Sequence, residues 1–490
     1  MMREPRQLTQ KIERRGLLVA LDSLLSVTCA ALLVMLTWAA LHDVCRDWDA
    51  WYYHLPFAAR VAGLAGPDTL VFSPRGQANF DGFPLFGEFC EGLLWRLSGR
   101  VQAANLPALA CVPVLALWLK HRFGVRFCVT CLALLAVPLV LIHATSCYVD
   151  LLGNSATTAL LLIVFDAYAK PDPPSRATLV SAAVAAAVAA NVKLLLEPVV
   201  LLALVALSLR AWPTLRALLA ASRRQAISTL ALAFVTLLLI FATPLKNSVR
   251  YANPFYPEQV QLLGLALPGY EQPYHASPRW LADAPQPLRF VASVLELGLA
   301  APGSHRRWSI DQWTPPDAPG YRIGGFFGIY VVFQLLVLVW FARVRGSRAA
   351  RVAALGFLLT TALTCVMPQS HELRYYLFWM MTLVCTNLWL ARERSASAQR
   401  ALGVAGALAL GVVLWSTRGV YVYPGGSGLT QVLRGHVDPA TLSRIQPGEH
   451  VCARRQPYAF AWAALFHPPR RYQLKLSEDL AGCGEFRALD

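Results

Sequence analysis

Several carboxylates in this chain of 490 residues stand where a plain solvated charge is not the natural reading. Asp47 and Asp49 lie in RDWDAWYYHLP (46–56), directly behind a long apolar run and among four aromatics and a histidine. Asp150 lies in SCYVDL (146–151), where another apolar run begins, and Glu88 lies in FPLFGEF (83–89) amid apolar neighbours. Carboxylates brought to one face from sequence-distant loops can supply a general base and a second group that orients a reactant or holds a cation. Cations accompany them: Lys193 in NVKLLLEP (191–198), Lys246 and Arg250 in TPLKNSVR (243–250), and Arg374 in HELRYY (371–376). Arginine binds phosphate bidentately, so Arg250 and Arg374 suit a diphosphate or a lipid-linked phosphate.

Each of these residues also has a structural reading. Asp49 could be a helix N-cap, but Pro56 weakens this. Proline fits the first helical position, so the helix is expected to begin near Leu55 or Pro56, leaving Asp47 and Asp49 in irregular backbone. Asp150 could cap its own helix, and Glu88 could be a solvated face or an approach to Asp49 that raises its pKa or shares a cation. Asp81, in NFDG (79–82), reads as a turn residue. Lys193 either pairs with Glu197 four residues on, or faces a cavity and grips an anion. Lys246, Arg250 and Arg374 could simply snorkel.

The elements that must position these groups are membrane helices. The chain is 56% hydrophobic and only 15% charged, which fits a polytopic membrane protein rather than one soluble core. Eleven segments have the length and apolarity of a span, near 17–42, 103–119, 127–145, 149–168, 177–192, 194–211, 226–243, 324–342, 352–367, 373–391 and 401–417. The turn from Asn191 to Glu197 allows a tight hairpin of two short helices. The first run has no small-x-small site before HDVCRDW and reads as a retained anchor.

The net charge of +16 does not point to nucleic acid, because its basic residues fall in the amino terminus and in alternate short loops. KHRFGVR, AKPDPPSR, RAWPTLRALLAASRR, RVRGSRAAR and RERSASAQR carry them, whereas HATSCYVD, NVKLLLEP and PQSHELRYY carry few. The positive-inside rule places the amino terminus in the cytoplasm of an inner membrane, and an odd number of spans places the carboxyl terminus outside. Residues 1–417 then form a transmembrane module, with long outward segments at 43–102 and 244–323, and 418–490 form a small outward α/β domain. PFAARVAGLAG and PLFGEFCEGLLWRLSG within 43–102 read as interfacial helices, and the aromatic, proline-rich 244–323 as an ordered loop. Pairing of Cys452 with Cys483 is allowed in an oxidising compartment, and no cysteine spacing resembles a zinc site.

Absences narrow the chemistry. The sequence has no Walker A loop, no GxSxG and no HExxH, and few mid-membrane charges of the kind an ion-coupled pump uses. No internal repeat of the sort that builds many transporters is visible.

At this point the motifs resemble a known group. WDAWYYHLP is similar to the first-outer-loop signature of the GT-C superfamily, polytopic glycosyltransferases that take sugars from polyprenyl-phosphate donors. This superfamily includes protein mannosyltransferases and the aminoarabinose transferase that modifies lipid A. FPLFGEFCEGLLWRLSG, YVDLLGNSATTALL, NVKLLLEPVVLLAL, LKNSVRYANPFYP and HELRYYLFWMMTL resemble further family segments in matching order, together spanning about 45–390. One departure is that the family's Arg-Asn pair stands here as Lys246-Asn247, with Arg250 three residues on.

The resemblance implies an all-α GT-C-like membrane fold and an inverting sugar transfer on the outer face, to a hydroxyl or phosphate of a lipid, glycan or protein acceptor. It implies Asp49 as general base, with Asp150 and Glu88 as further acids. A divalent metal ion, if one is used, falls to Asp49, Glu88 and Asp150. Lys193, Lys246, Arg250 and Arg374 would meet the lipid phosphate, and Tyr53, His54, His371, Glu372 and Tyr375 complete the candidate substrate contacts. Two rivals share these features: a lipid-linked sugar flippase, and a non-catalytic subunit of an envelope glycan assembly.

Overall fold

The computed structural model describes residues 4–262, 264–270, 279–296, 308, 325–344, 347–426 and 428–489. Its helices are α1 (Glu4–His42), α2 (Leu55–Val61), α3 (Pro74–Gly82), α4 (Phe86–Ser98), α5 (Leu106–Phe123), α6 (Phe127–Leu135), α7 (Pro138–His143), α8 (Asp150–Ala169), α9 (Arg176–Ala190) and α10 (Glu197–Ala221). They continue with α11 (Arg223–Ile240), α12 (Ala242–Tyr251), α13 (Arg279–Ala282), α14 (Gln286–Leu295), α15 (Gly328–Val344), α16 (Arg348–Val366), α17 (Leu377–Arg394), α18 (Ala396–Ser416), α19 (Leu429–His436) and α20 (Pro439–Ser443). The strands are β1 (Leu70–Val71), β2 (Val260–Leu262), β3 (Leu265–Leu267), β4 (His450–Arg454), β5 (Gln473–Ser477) and β6 (Arg487–Ala488).

A helix accompanies every apolar run expected from the sequence, but the count of eleven spans is not reproduced. Seven helices among the described residues are long and apolar enough to cross a membrane, and α9 and α15 are apolar but shorter. The run at 127–145 breaks at Val137–Pro138 into α6 and α7, because proline takes the first position of a new helix rather than continuing the old one. The Asn191–Glu197 turn does join two helices, yet the second, α10, has 25 residues and is not short.

α17 is buried on every face from Leu377 to Ala391 and α8 on most of its length, so these two form the centre of the bundle. α11 is exposed almost throughout, as expected of a helix whose solvent is lipid. α18 lies close against α6: a Cβ added at Gly403 would stand 2.9 Å from Val129, and one at Gly406 2.9 Å from the Ala133 Cα. Small residues permit this approach, which contributes packing where hydrophobic association is weak.

The loop-bearing end of the bundle carries both the first loop and the carboxyl-terminal segment. α4 is amphipathic with its apolar side outward: Phe86, Phe89, Leu93 and Leu97 are exposed, while Glu88, Glu91 and Trp95 are buried. That is the orientation of an interfacial helix. The expected α/β character of the carboxyl-terminal segment is present as a parallel sheet of order β1-β5-β4-β6, with Cys452 bonded to Cys483. Its edge strand β1 comes from the first loop, pairing Leu70 with Leu474 and Val71 with Lys475. The segment expected as an ordered loop at 244–323 is described at α12, β2, β3, α13 and α14, whereas 271–278, 297–307 and 309–324 lie outside the described residues.

One local expectation is overturned. Helical backbone begins at Trp48 and Asp49, not near Leu55, and Asp49 has φ −62° and ψ −28°. A π-helical turn, Ala50–His54, then leads into α2, with the Leu55 N–H bonded to the Ala50 carbonyl. The wider turn lets Pro56, which has no N–H, enter the second turn without ending the helix. Asp49 makes no side-chain cap, so its carboxylate is left for other partners.

Candidate active site

The residue that precedes the π-helical turn, the start of α8, the turn before α10 and the turn before α17 converge at one end of the bundle, and each brings one ionic side chain. Arg374 Nη1 lies 3.0 Å from Asp49 Oδ2, with the two side chains only 3% and 10% exposed. Tyr53 Oη donates to the same oxygen at 3.3 Å, and the Asp49 N–H donates to Tyr148 Oη at 3.1 Å. Burial, then the Asp49 charge, pushes the Tyr53 phenol well above its ordinary range, so it stays a donor.

Lys193 Nζ is bonded to Asp150 Oδ1 and lies 3.9 Å above the Tyr375 ring. Asp150 is the first residue of α8 and makes no cap bond, and Lys193 pairs across the bundle rather than with Glu197. Burial holds the Lys193 ammonium below its ordinary range, and nearby Arg374 adds to that against the pull of Asp150. Tyr375 joins the two pairs: its hydroxyl accepts from Arg374 Nη2 at 3.0 Å, and its ring lies 4.8 Å from the guanidinium carbon. The result is a buried, charge-matched quartet crossing at one aromatic ring.

Two residues that the sequence reading did not single out hold this quartet. Tyr148 supplies the hydroxyl under Asp49 and a ring 5.3 Å from the Arg374 guanidinium carbon. Asn154 Nδ2 donates to the Asp150 carbonyl at 2.7 Å and to the Arg374 carbonyl at 3.4 Å, while its Oδ1 accepts from the Phe378 N–H at 2.8 Å. The available signal was their place in YVDLLGN: Tyr148 precedes Asp150 by two residues, and Asn154 follows it by one helical turn.

The remaining candidates divide. Glu88 stands on His54, Oε1 to Nδ1 at 2.9 Å, both nearly fully buried, rather than on Asp49. Glu91, one turn along α4, is pushed well above its ordinary range by burial and then by the Glu88 charge. The expected sharing of a cation by Asp49, Glu88 and Asp150 does not fit. Asp49 is engaged by Arg374, Asp150 by Lys193 and Glu88 by His54, and no group of three such ligands is arranged for a metal ion among the described residues.

Lys246 Nζ donates to the Asp81 carbonyl, and Asn247 Nδ2 donates to the carbonyls of Gly82 at 2.9 Å and Tyr256 at 2.8 Å. These two residues therefore pin the end of α3, which also places Asp81 in a helix end rather than a free turn. Arg250 is exposed on the last turn of α12. His371 is buried, with its carbonyl accepting from Ser293 Oγ at 2.8 Å, and Glu372 is buried beside the Arg374 turn.

No protein-family model and no curated protein matches the chain. Among solved structures it is similar to ArnT from Cupriavidus metallidurans in the apo state, at 15% identity and a TM-score of 0.51, covering 94% of this chain and 90% of that one. The chain has an ArnT-like membrane fold. The same protein bound to undecaprenyl phosphate matches at 15% identity and a TM-score of 0.50, over 94% and 90% of the two chains. Coverage of 94% of the chain extends past the span of about 45–390 in which the family-like sequence motifs are visible.

Proposed function

We propose that this protein transfers a sugar from a polyprenyl-phosphate donor to an acceptor hydroxyl at the outer surface of an inner membrane, with inversion at the sugar carbon. The observation that carries this reading is the buried quartet of Asp49–Arg374 and Asp150–Lys193 meeting at Tyr375. The ArnT-like fold supports it, as does the similar structure's bound undecaprenyl phosphate, a molecule of the leaving-group class that this reaction releases.

In this mechanism the acceptor O–H gives its proton to Asp49 as its oxygen attacks the anomeric carbon. The bond from that carbon to the phosphate oxygen breaks, and the electron pair leaves on the polyprenyl phosphate. Arg374 and Tyr53 address Asp49 Oδ2, which orients the carboxylate and assigns Oδ1 to the incoming hydroxyl. Arg374 and Lys193 stabilise the charge that grows on the phosphate, an interaction strengthened because both cations are largely withdrawn from water. Before the donor arrives, Asp49 and Asp150 satisfy these cations. The phosphodiester then shares them and adds one negative charge, and the net charge stays constant through transfer because the proton taken by Asp49 offsets the charge gained by the leaving phosphate. The prenyl chain remains in hydrocarbon while its phosphate meets the basic residues, which is why the site belongs at the end of a bundle.

The test is mass spectrometry of envelope glycolipids and glycoproteins from a deletion strain, complemented with the wild type or with Asp49→Asn. A sugar increment lost on deletion, restored by the wild type and not by Asp49→Asn, is expected. Removal of a general base lowers the rate by about 10²–10⁴-fold. Full restoration by Asp49→Asn would overturn the assignment.

A further inference from the structure

The Asp49 carboxylate and N–H are addressed by the bundle, yet the chain on either side of it is held by the carboxyl-terminal segment. Tyr458 Oη donates to the Arg46 carbonyl at 2.7 Å, three residues before Asp49. Two residues after it, the buried Trp51 ring packs against Tyr458, Phe460 and Phe466, with centroids at 5.5, 6.3 and 5.8 Å. Tyr52, the next residue, lies beneath the Arg455 guanidinium, whose carbon is 4.0 Å from the ring centroid.

Arg455 follows β4, and its side chain is 3% exposed. A buried guanidinium needs partners that offset its desolvation. Its Nη1 donates to Glu478 Oε1 at 2.9 Å, and the same oxygen accepts from Ser73 Oγ at 2.7 Å. Ser73 caps α3 by accepting from the Gly76 N–H at 3.0 Å, and the far end of α3 is the one that Lys246 and Asn247 hold. One cation therefore connects the π-helical turn that carries Asp49 to the helix that reaches α12. The Tyr52 ring supplies the remaining face, where a stacked guanidinium gains a cation–π attraction.

We propose that Arg455 is a positioning residue: it clamps the Tyr52–Tyr53 turn and so holds the Asp49 carboxylate in register with Arg374. Its effect on sugar transfer rests on the reading of Asp49 as the base; its effect on the turn does not. The carboxyl-terminal sheet is then a working part of the site, completed by strand β1 of the very loop it steadies. Burial raises the Glu478 carboxyl, but its hydrogen bonds from Ser73 and Arg455 prevail and hold it below its ordinary range, so the link stays charged at neutral pH.

The test uses the full chain in lipid nanodiscs, as wild type, Arg455→Gln and Arg455→Lys. Hydrogen exchange is followed in peptides covering 46–54 and in strands β4 and β5. In Arg455→Gln, exchange across 46–54 should rise about tenfold, the order expected for losing a desolvated cation–π contact with Tyr52, while the strands keep their protection. Arg455→Lys keeps a cation over Tyr52 and should lie between the two. Unchanged exchange at 46–54, an equal rise in the strands, or equal exchange in the Gln and Lys variants would each overturn the clamp. Undecaprenyl phosphate binding should be the same in all three proteins, because Arg374 and Lys193 are untouched. A loosened turn with undiminished sugar transfer would instead sink the reading of Asp49 as base and leave the clamp standing.

Discussion

The two ends of the bundle use the same side-chain types in different ways. At the end away from the candidate site, Asp22 of α1 receives Arg126 and the Nε and Nη2 of Arg400, at 2.8 and 2.9 Å for the latter. Asp166 of α8 receives Arg122 at 2.6 Å and Lys170 at 2.9 Å. There each carboxylate has two cations, whose exposures run from 15% at Arg400 through 29% at Arg122 and 32% at Arg126 to 59% at Lys170. At the site end each carboxylate has one cation, and the cations are themselves withdrawn, Arg374 to 3% and Lys193 to 19% exposure. Pairs at helix ends whose cations keep part of their hydration pin neighbouring helices at little net cost. Buried, charge-matched pairs are expensive to desolvate and are weak instruments of stability, so their presence points to chemistry.

That contrast is broken most severely at Arg374. Arg374→Ala removes the partner of Asp49 and the donor to Tyr375 together, and sugar transfer should fall about a hundredfold to a thousandfold. Undecaprenyl phosphate binding, followed by native mass spectrometry, should weaken in the same variant. Arg374→Lys keeps the charge but cannot reach Asp49 and Tyr375 at once, so it should recover binding better than transfer. A variant that binds the lipid and transfers sugar like the wild type would place Arg374 with the pinning cations of the opposite end.

The second pair sharpens the comparison through its coupling. Lys193→Met and Asp150→Asn each strand one member of a buried pair and should each lower transfer by about ten- to a hundredfold, from loss of one charge-assisted contact. The double variant should be no worse than the poorer single one, because the two side chains act as a unit. Additive losses in that cycle would mean that Lys193 and Asp150 serve the reaction separately, despite their direct bond.

How much of this was legible in the sequence varies with the range of the interaction. The apolar runs are local signals, and each produced a helix. What is not confirmed is the count of eleven, since Pro138 divides one run, α9 and α15 are short, and the charges of Arg392, Glu393 and Arg394 lie within α17. Asp49, Asp150, Lys193 and Arg374 were readable as a set because they sit in quoted motifs at the expected helix ends, and they do converge. Their crosswise pairing was not readable, because it joins residues 43 to 325 positions apart through the packing of four helices. Glu88 was misdirected for a similar reason: the phase of α4 turns it, with Glu91, onto α2 and His54. The recruitment of β1 to the carboxyl-terminal sheet was invisible too, because a two-residue strand has no periodicity to detect.

The smallest effect is expected at the pinning end, and it is the control that gives the other results meaning. Asp22→Asn removes the carboxylate that gathers Arg126 and Arg400, at side-chain positions still 15–32% exposed. Such a pair contributes about 0–1 kcal/mol, so the thermal midpoint in nanodiscs should drop by no more than a few degrees. The Asn retains two polar atoms for the arginines, and both cations can turn to water or to lipid phosphates at that surface. Sugar transfer and undecaprenyl phosphate binding should match the wild type, because Asp22 and its partners Arg126 and Arg400 lie at the opposite end of the bundle from the site. A large loss of transfer from Asp22→Asn, with the midpoint unchanged, would show that the two ends are energetically coupled through α1. The division between pinning pairs and working pairs would then have to be redrawn along that helix.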